Sequence, residues 1–204
     1  MQTIAEYRNN CLTILGDAGG RRYSDSILDM GIREALQAYQ LYCARRMTFK
    51  QRVTGIDGET VILQPLPDGC SVLTARTESG VWLYFAEYRT EKGLELNCYG
   101  SFGSLPVAGD VLTLEVACPH MIKGLDGANM TTVPDNHALM LCTGAAGYAM
   151  RIRARSVTEV FGKRPEDREA LSSQANRLIG DYTRELQQNQ NAARDPLPRG
   201  EFPI

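Results

Sequence analysis

Val111-Leu112-Thr113-Leu114-Glu115-Val116-Ala117 alternates apolar and polar side chains, the pattern of a strand with one packed face and one wet face. Leu94-Glu95-Leu96-Asn97-Cys98 repeats it. Turn-forming residues punctuate the neighbourhood at Asp57-Gly58, Pro67-Asp68-Gly69, Ser79-Gly80, Lys92-Gly93 and Gly109-Asp110. At such sites Gly takes a positive φ or Asp sets a type I turn. The spacing predicts antiparallel strands over 61–64, 70–75, 81–88, 94–98 and 111–117. Residues 81–88 are apolar on both faces and are expected at the centre of a sheet. The period of two begins at Met47, so 46–118 reads as an antiparallel β module.

The flanks have helical periodicity. Thr3 and Glu6 form a capping box ahead of Ile4, Tyr7, Cys11, Ile14 and Leu15, and Gly16, Gly19 and Gly20 close that helix. Ser24 caps a second helix, expected to reach about Arg45, with Leu28, Ile32, Ala35, Leu36, Tyr39 and Cys43 as its buried stripe. Pro134 and Asp135 suit the start of a third helix running to about Arg155. Its centre, Thr143-Gly144-Ala145-Ala146-Gly147, is made of small residues, which allows a second helix to approach closely. Pro165, Glu166 and Asp167 open a fourth, whose stripe is Leu171, Ala175, Leu178, Tyr182 and Leu186.

The fold class is therefore α+β: a bundle of about four helices with an inserted antiparallel β module and an extended C-terminal arm. The expected segments are N-terminal helices 1–45, β module 46–118, long loop 119–134, C-terminal helices 135–190 and arm 191–204. The loop carries Met121, Ile122, Leu125 and Met130, so it either folds back on the body or docks on a partner. The arm has Pro196, Pro198 and Pro203 and ends in Phe202 and Ile204; it is either ordered by a partner subunit or a disordered end.

Composition narrows the function classes. The 204 residues are 43% hydrophobic and 23% charged with a net charge of −2, which excludes a disordered chain, a collagen-like repeat or a polycation. Residues 46–118 hold six basic and nine acidic groups and are the acidic part. No stretch approaches the roughly 20 apolar residues of a membrane helix. The N-terminus lacks a signal-peptide pattern, so synthesis in the cytosol is expected. The six cysteines show no Cys-x-x-Cys spacing and are expected as small buried hydrophobes in a reducing compartment.

Catalytic chemistry is not assembled by these residues. His120 and His137 have no metal-ligating company at close spacing. Cys118-Pro119-His120 lacks a third group to orient the imidazole, and Gly100-Ser101-Phe102-Gly103 lacks the Lys of a phosphate-binding loop. No catalytic, cofactor or metal site is expected. Arg151, Arg153 and Arg155 fan across one side of the third helix, where they complement its dipole or meet an acidic partner.

Tyr23-Ser24-Asp25 leading to Glu34-Ala35-Leu36-Gln37-Ala38-Tyr39, and Val133-Pro134-Asp135-Asn136-His137-Ala138-Leu139 leading to Gly144-Ala145-Ala146-Gly147-Tyr148-Ala149-Met150-Arg151, occur in a distinctive order and distance. In these motifs and in layout the chain resembles the head-to-tail adaptors of tailed bacteriophages, the group that includes podophage tail tubular protein A. The resemblance implies a non-enzymatic virion protein of the neck: a homo-oligomeric ring, usually of twelve copies, between portal protein and tail or nozzle protein. DNA would pass through it without sequence-specific contact. It also implies an arm on the portal, for which Pro196, Leu197, Pro198, Phe202 and Ile204 are the candidates. The loop residues His120, Met121, Ile122 and Leu125 are expected to face the lumen or the tail. The rival expectation is a cytosolic protein-binding module built from the same bundle and β insertion.

Overall fold

A computed structural model describes residues 2–91, 93–99, 105–156 and 165–193. It divides into two compact units, Met1–Cys43 with His120–Ile204, and Ala44–Pro119. The architecture is α+β, with four α-helices and two antiparallel sheets among the described residues.

The helical unit is built around α3 (Ala138–Ser156), which packs against α1 (Ile4–Ile14), α2 (Asp25–Tyr42) and α4 (Pro165–Ala193). The capping box of Thr3 and Glu6 is present, and Ser24 Oγ accepts from Ile27 N at the start of α2. Helix α2 ends at Tyr42, short of the expected Arg45, because Arg45 already pairs as the first residue of a strand. A 3-10 turn, Asp135–His137, precedes α3. The small residues of α3 do allow close packing. A Cβ on Gly144 would strike the Tyr182 ring, and one on Gly147 would lie 2.9 Å from Ile179 Cγ1. From α2, Gly31 makes the reciprocal approach, where a Cβ would meet Ala145 O at 2.5 Å. Tyr182 is fully buried and donates its phenol proton to Ala35 O at 2.7 Å, tying α4 to α2 across α3.

The β unit is a sandwich whose two sheets share one core. One sheet has the order β1–β8–β4–β5, formed by Arg45–Arg52, Val111–Cys118, Ser71–Thr77 and Trp82–Leu83. The other is β2–β3–β7–β6, formed by Gly55–Asp57, Thr60–Leu63, Gly93–Cys98 and Phe85–Thr90. Leu112, Leu114 and Val116 from the first face Leu63, Leu94 and Leu96 from the second in a common apolar cluster. Residues 81–88 do not form the expected central strand. They split at Tyr84 into β5 and β6, each an edge strand of a different sheet, and the apolar residues on their outer sides, Trp82, Tyr84 and Tyr88, are exposed instead of buried.

Two cysteines depart from expectation. Cys70 and Cys118 form a disulfide, because Ser71 pairs with Ala117 and the next residues outward are thereby opposed. Cys11, Cys98 and Cys142 are buried thiols, and Cys43 is a half-buried one. In the sandwich interior, the Gln51 amide oxygen is buried and finds no hydrogen-bond partner among the described residues. An orphaned buried acceptor costs about 1–3 kcal/mol. Gln51→Met, which keeps the volume, is expected to stabilise the β unit by about 1 kcal/mol, seen as a higher urea midpoint.

Candidate functional surfaces

The loop expected to face a partner belongs to the core of the helical unit. His120, Ile122 and Leu125 are buried and Met121 is half-buried, which corrects their reading as lumen or tail contacts. The reason is the network that stitches the loop down. Ile4 N donates to Lys123 O at 2.9 Å, Lys123 N to Thr131 Oγ1 at 2.9 Å, and Met121 N to Thr132 Oγ1 at 2.8 Å. Arg33 holds Asp126 through a two-pronged ion pair as close as 2.6 Å; that bond draws the Asp126 carboxyl below its usual range. His120 Nε2 donates to Cys43 O at 2.8 Å, and Gln40 Nε2 donates to His120 O at 3.3 Å. Its Nδ1 lies 3.1 Å from Thr132 O. His120 thus clamps the end of α2 to both ends of the loop. His120→Leu, which leaves the Cys43 carbonyl without this donor, is expected to cost the helical unit about 2 kcal/mol in chemical denaturation.

His137 has a local partner as well, its Nδ1 sharing a hydrogen bond with the Tyr39 phenol at 2.6 Å. The Arg151 guanidinium lies over the Tyr148 ring at 4.7 Å and 3.9 Å from Glu34, and Arg153 lies over Tyr23 at 4.9 Å. Both stacks are within the helical unit and hold the two cations against its surface. Arg155 is exposed at the end of α3. Asp17 has no sequence signal beyond being followed by glycines. Burial opposes its ionisation, but backbone N–H groups of Arg22, Tyr23 and Arg21 donate to it and hold its pKa below the usual carboxylate value. The candidate arm residues Pro196, Leu197, Pro198, Phe202 and Ile204, and Gly100 to Gly103, lie outside the described residues.

The β unit carries two chemically distinct outer faces. Strand register puts Arg46, Thr48, Lys50 and Arg52 of β1 on the outside of the first sheet, beside Glu115 and Thr113 of β8 and Arg76 of β4. Arg46 pairs with Glu115 at 3.2 Å, and Arg76 lies 5.8 Å from the ring of Trp82, which is 53% exposed on the same face. Four cations and one carboxylate therefore share this face among the described residues. On the second sheet, Cys98, Leu96 and Leu94 point inward, so Tyr99, Asn97 and Glu95 point outward, opposite Tyr84, Ala86 and Tyr88. Asp57 and Thr60 lie on that face too. Tyr84, Tyr88 and Tyr99 are each more than half exposed. No cation lies on this face among the described residues. The acidic total of the segment thus conceals one basic face and one face of tyrosines and carboxylates.

Among the described residues, no three His, Cys, Asp or Glu side chains are placed to hold a metal ion. No helix among them is long and apolar enough to cross a membrane. The chain matches no protein-family model, and no curated protein is similar to it.

Proposed function

We propose that this chain is a structural, non-enzymatic head-to-tail adaptor of a tailed bacteriophage: one subunit of a ring, of twelve copies, that binds below the portal protein, carries the tail or nozzle protein and surrounds the passing DNA. It would be made in the host cytoplasm and reside in the virion neck. The observation that carries the reading is the interrupted bundle. A β sandwich is inserted between Cys43 and His120, and the motifs that bear the resemblance supply the bundle's packing nodes. Tyr23 is buried, Ser24 caps α2, Ala35 accepts the Tyr182 bond, and Gly144 and Gly147 seat α4.

With the 119–134 loop committed to the core, the parts left to meet DNA or tail belong to the β unit. DNA must slide through a lumen, and each cation–phosphate contact adds a salt-sensitive hold, so the lining should be poor in exposed cations. The arm, through Pro196, Leu197, Pro198, Phe202 and Ile204, is the proposed portal contact. The test is to mix the purified chain with the portal protein of the same virion and look for rings by electron microscopy. Twelvefold rings on portals support the adaptor; a stable monomer that ignores the portal and takes one other protein partner overturns it. Deleting 191–204 should leave a folded chain that no longer assembles, and normal assembly of the truncated chain would overturn the arm assignment.

A further inference from the structure

We infer that the two outer faces of the β sandwich are complementary halves of one contact, so that the basic face of one copy docks on the tyrosine and carboxylate face of the next. The inference rests on the ring reading only for its biological setting; its physical basis is the placement of side chains. Arg46, Lys50, Arg52 and Arg76 stand on one side of the sandwich, and Glu95, Asp57, Tyr84, Tyr88 and Tyr99 on the other. The β1 cations span roughly 20 Å, and Tyr84 to Tyr88 span roughly 14 Å, from the rise of a strand. These lengths are comparable. Guanidinium groups favour carboxylates and aromatic faces alike, and three arginines here already lie over aromatic rings, at Tyr148, Tyr23 and Trp82. Tyrosine is enriched at protein interfaces because it is apolar with a polar tip.

Because the two faces are different patches on opposite sides, the contact is heterologous, and such contacts repeat into closed rings or open filaments instead of stopping at a dimer. A nucleic-acid backbone would account for the cations but leaves the tyrosine face unexplained. A second copy accounts for both.

The experiment uses the full chain with single cysteines introduced at the face centres, Thr48→Cys in one preparation and Asn97→Cys in another, joined by a short bismaleimide. The chain without introduced cysteines is the background control. Links between the T48C and N97C preparations should exceed those within either preparation at least tenfold, and should fall with added salt. Adding Arg46→Glu with Lys50→Glu to the first preparation should abolish them. Combining that variant with Asp57→Lys and Glu95→Lys in the second should restore them. Unchanged melting of each variant excludes misfolding as the cause.

Equal linking within and between preparations, or no rescue by the exchanged charges, would overturn the inference. So would a fluorescent 20-base-pair DNA duplex that binds through Arg46 and Lys50 while no link forms between T48C and N97C; the face would then belong to nucleic acid. Rings on portals that survive the charge reversals would sink this contact and leave the adaptor reading standing. Head-to-tail links with no ring on any portal would do the opposite.

Discussion

Gly31→Ala is expected to cost the helical unit about 2–3 kcal/mol, even though alanine is the better helix former by about 1 kcal/mol. The new methyl would sit 2.5 Å from Ala145 O and 2.9 Å from Ala149 N. These are backbone atoms of a helix packed on its other sides, so α2 and α3 must separate and the core between them must loosen. Gly144→Ala should act in the same direction. Its methyl would displace the Tyr182 ring and with it the phenol bond to Ala35. Gly180→Ala supplies the contrast, since nothing lies within 4 Å of the added carbon. That change should stabilise by about 0.5–1 kcal/mol. Urea denaturation followed by helical circular dichroism reads all three, and a neutral Gly31→Ala would mean that α2 and α3 are not so closely packed.

Alkaline pH should destabilise the helical unit steeply. Burial pushes the phenols of Tyr7, Tyr39 and Tyr182 well above their ordinary range. The unfolded chain releases those protons near pH 10, while the folded chain keeps them. A group with a raised folded pKa contributes fully below its unfolded pKa and loses that contribution as pH climbs toward the folded value. The slope above about pH 10 is therefore negative, about 1.4 kcal/mol per pH unit for each tyrosine and about 4 kcal/mol per pH unit for the three together. The Cys11 thiol, raised by its hydrogen bond with Cys142 and by burial, adds in the same sense from about pH 8.5. Urea midpoints measured between about pH 9 and 11 check this. Tyr182→Phe should remove about a third of the tyrosine slope, and an unchanged slope would show that its phenol ionises freely.

Helix starts and turn positions are legible in the sequence because their causes are local. Thr3 and Glu6 are three residues apart and make their capping box within one turn. The alternation in 111–117 reports a strand with one buried face, and Val111–Cys118 is that strand. Residues 81–88 mislead because Trp82, Tyr84 and Tyr88 have the composition of core residues yet stand exposed on outer faces. The basic face has a signal in the sequence that a segment total hides. Arg46, Lys50 and Arg52 alternate with Met47, Phe49 and Gln51, but the total averages cations and carboxylates over both faces. The 119–134 loop reads outward as easily as inward, because apolar residues in a connection look the same whether they dock on a partner or on their own core.

By itself the amino-acid sequence determined the order of elements: two helices, a period-two segment, a loop and two more helices. Propensity, capping and periodicity act within a few residues and need no knowledge of the rest of the chain. Tertiary structure alone decided the division of the strands between two sheets, the Cys70–Cys118 bridge, the burial of His120, Ile122 and Leu125, and the sorting of charge between opposite faces. Each depends on which distant segments share a ladder or a core, and pairing register is set by the summed burial of whole faces, which no local window contains.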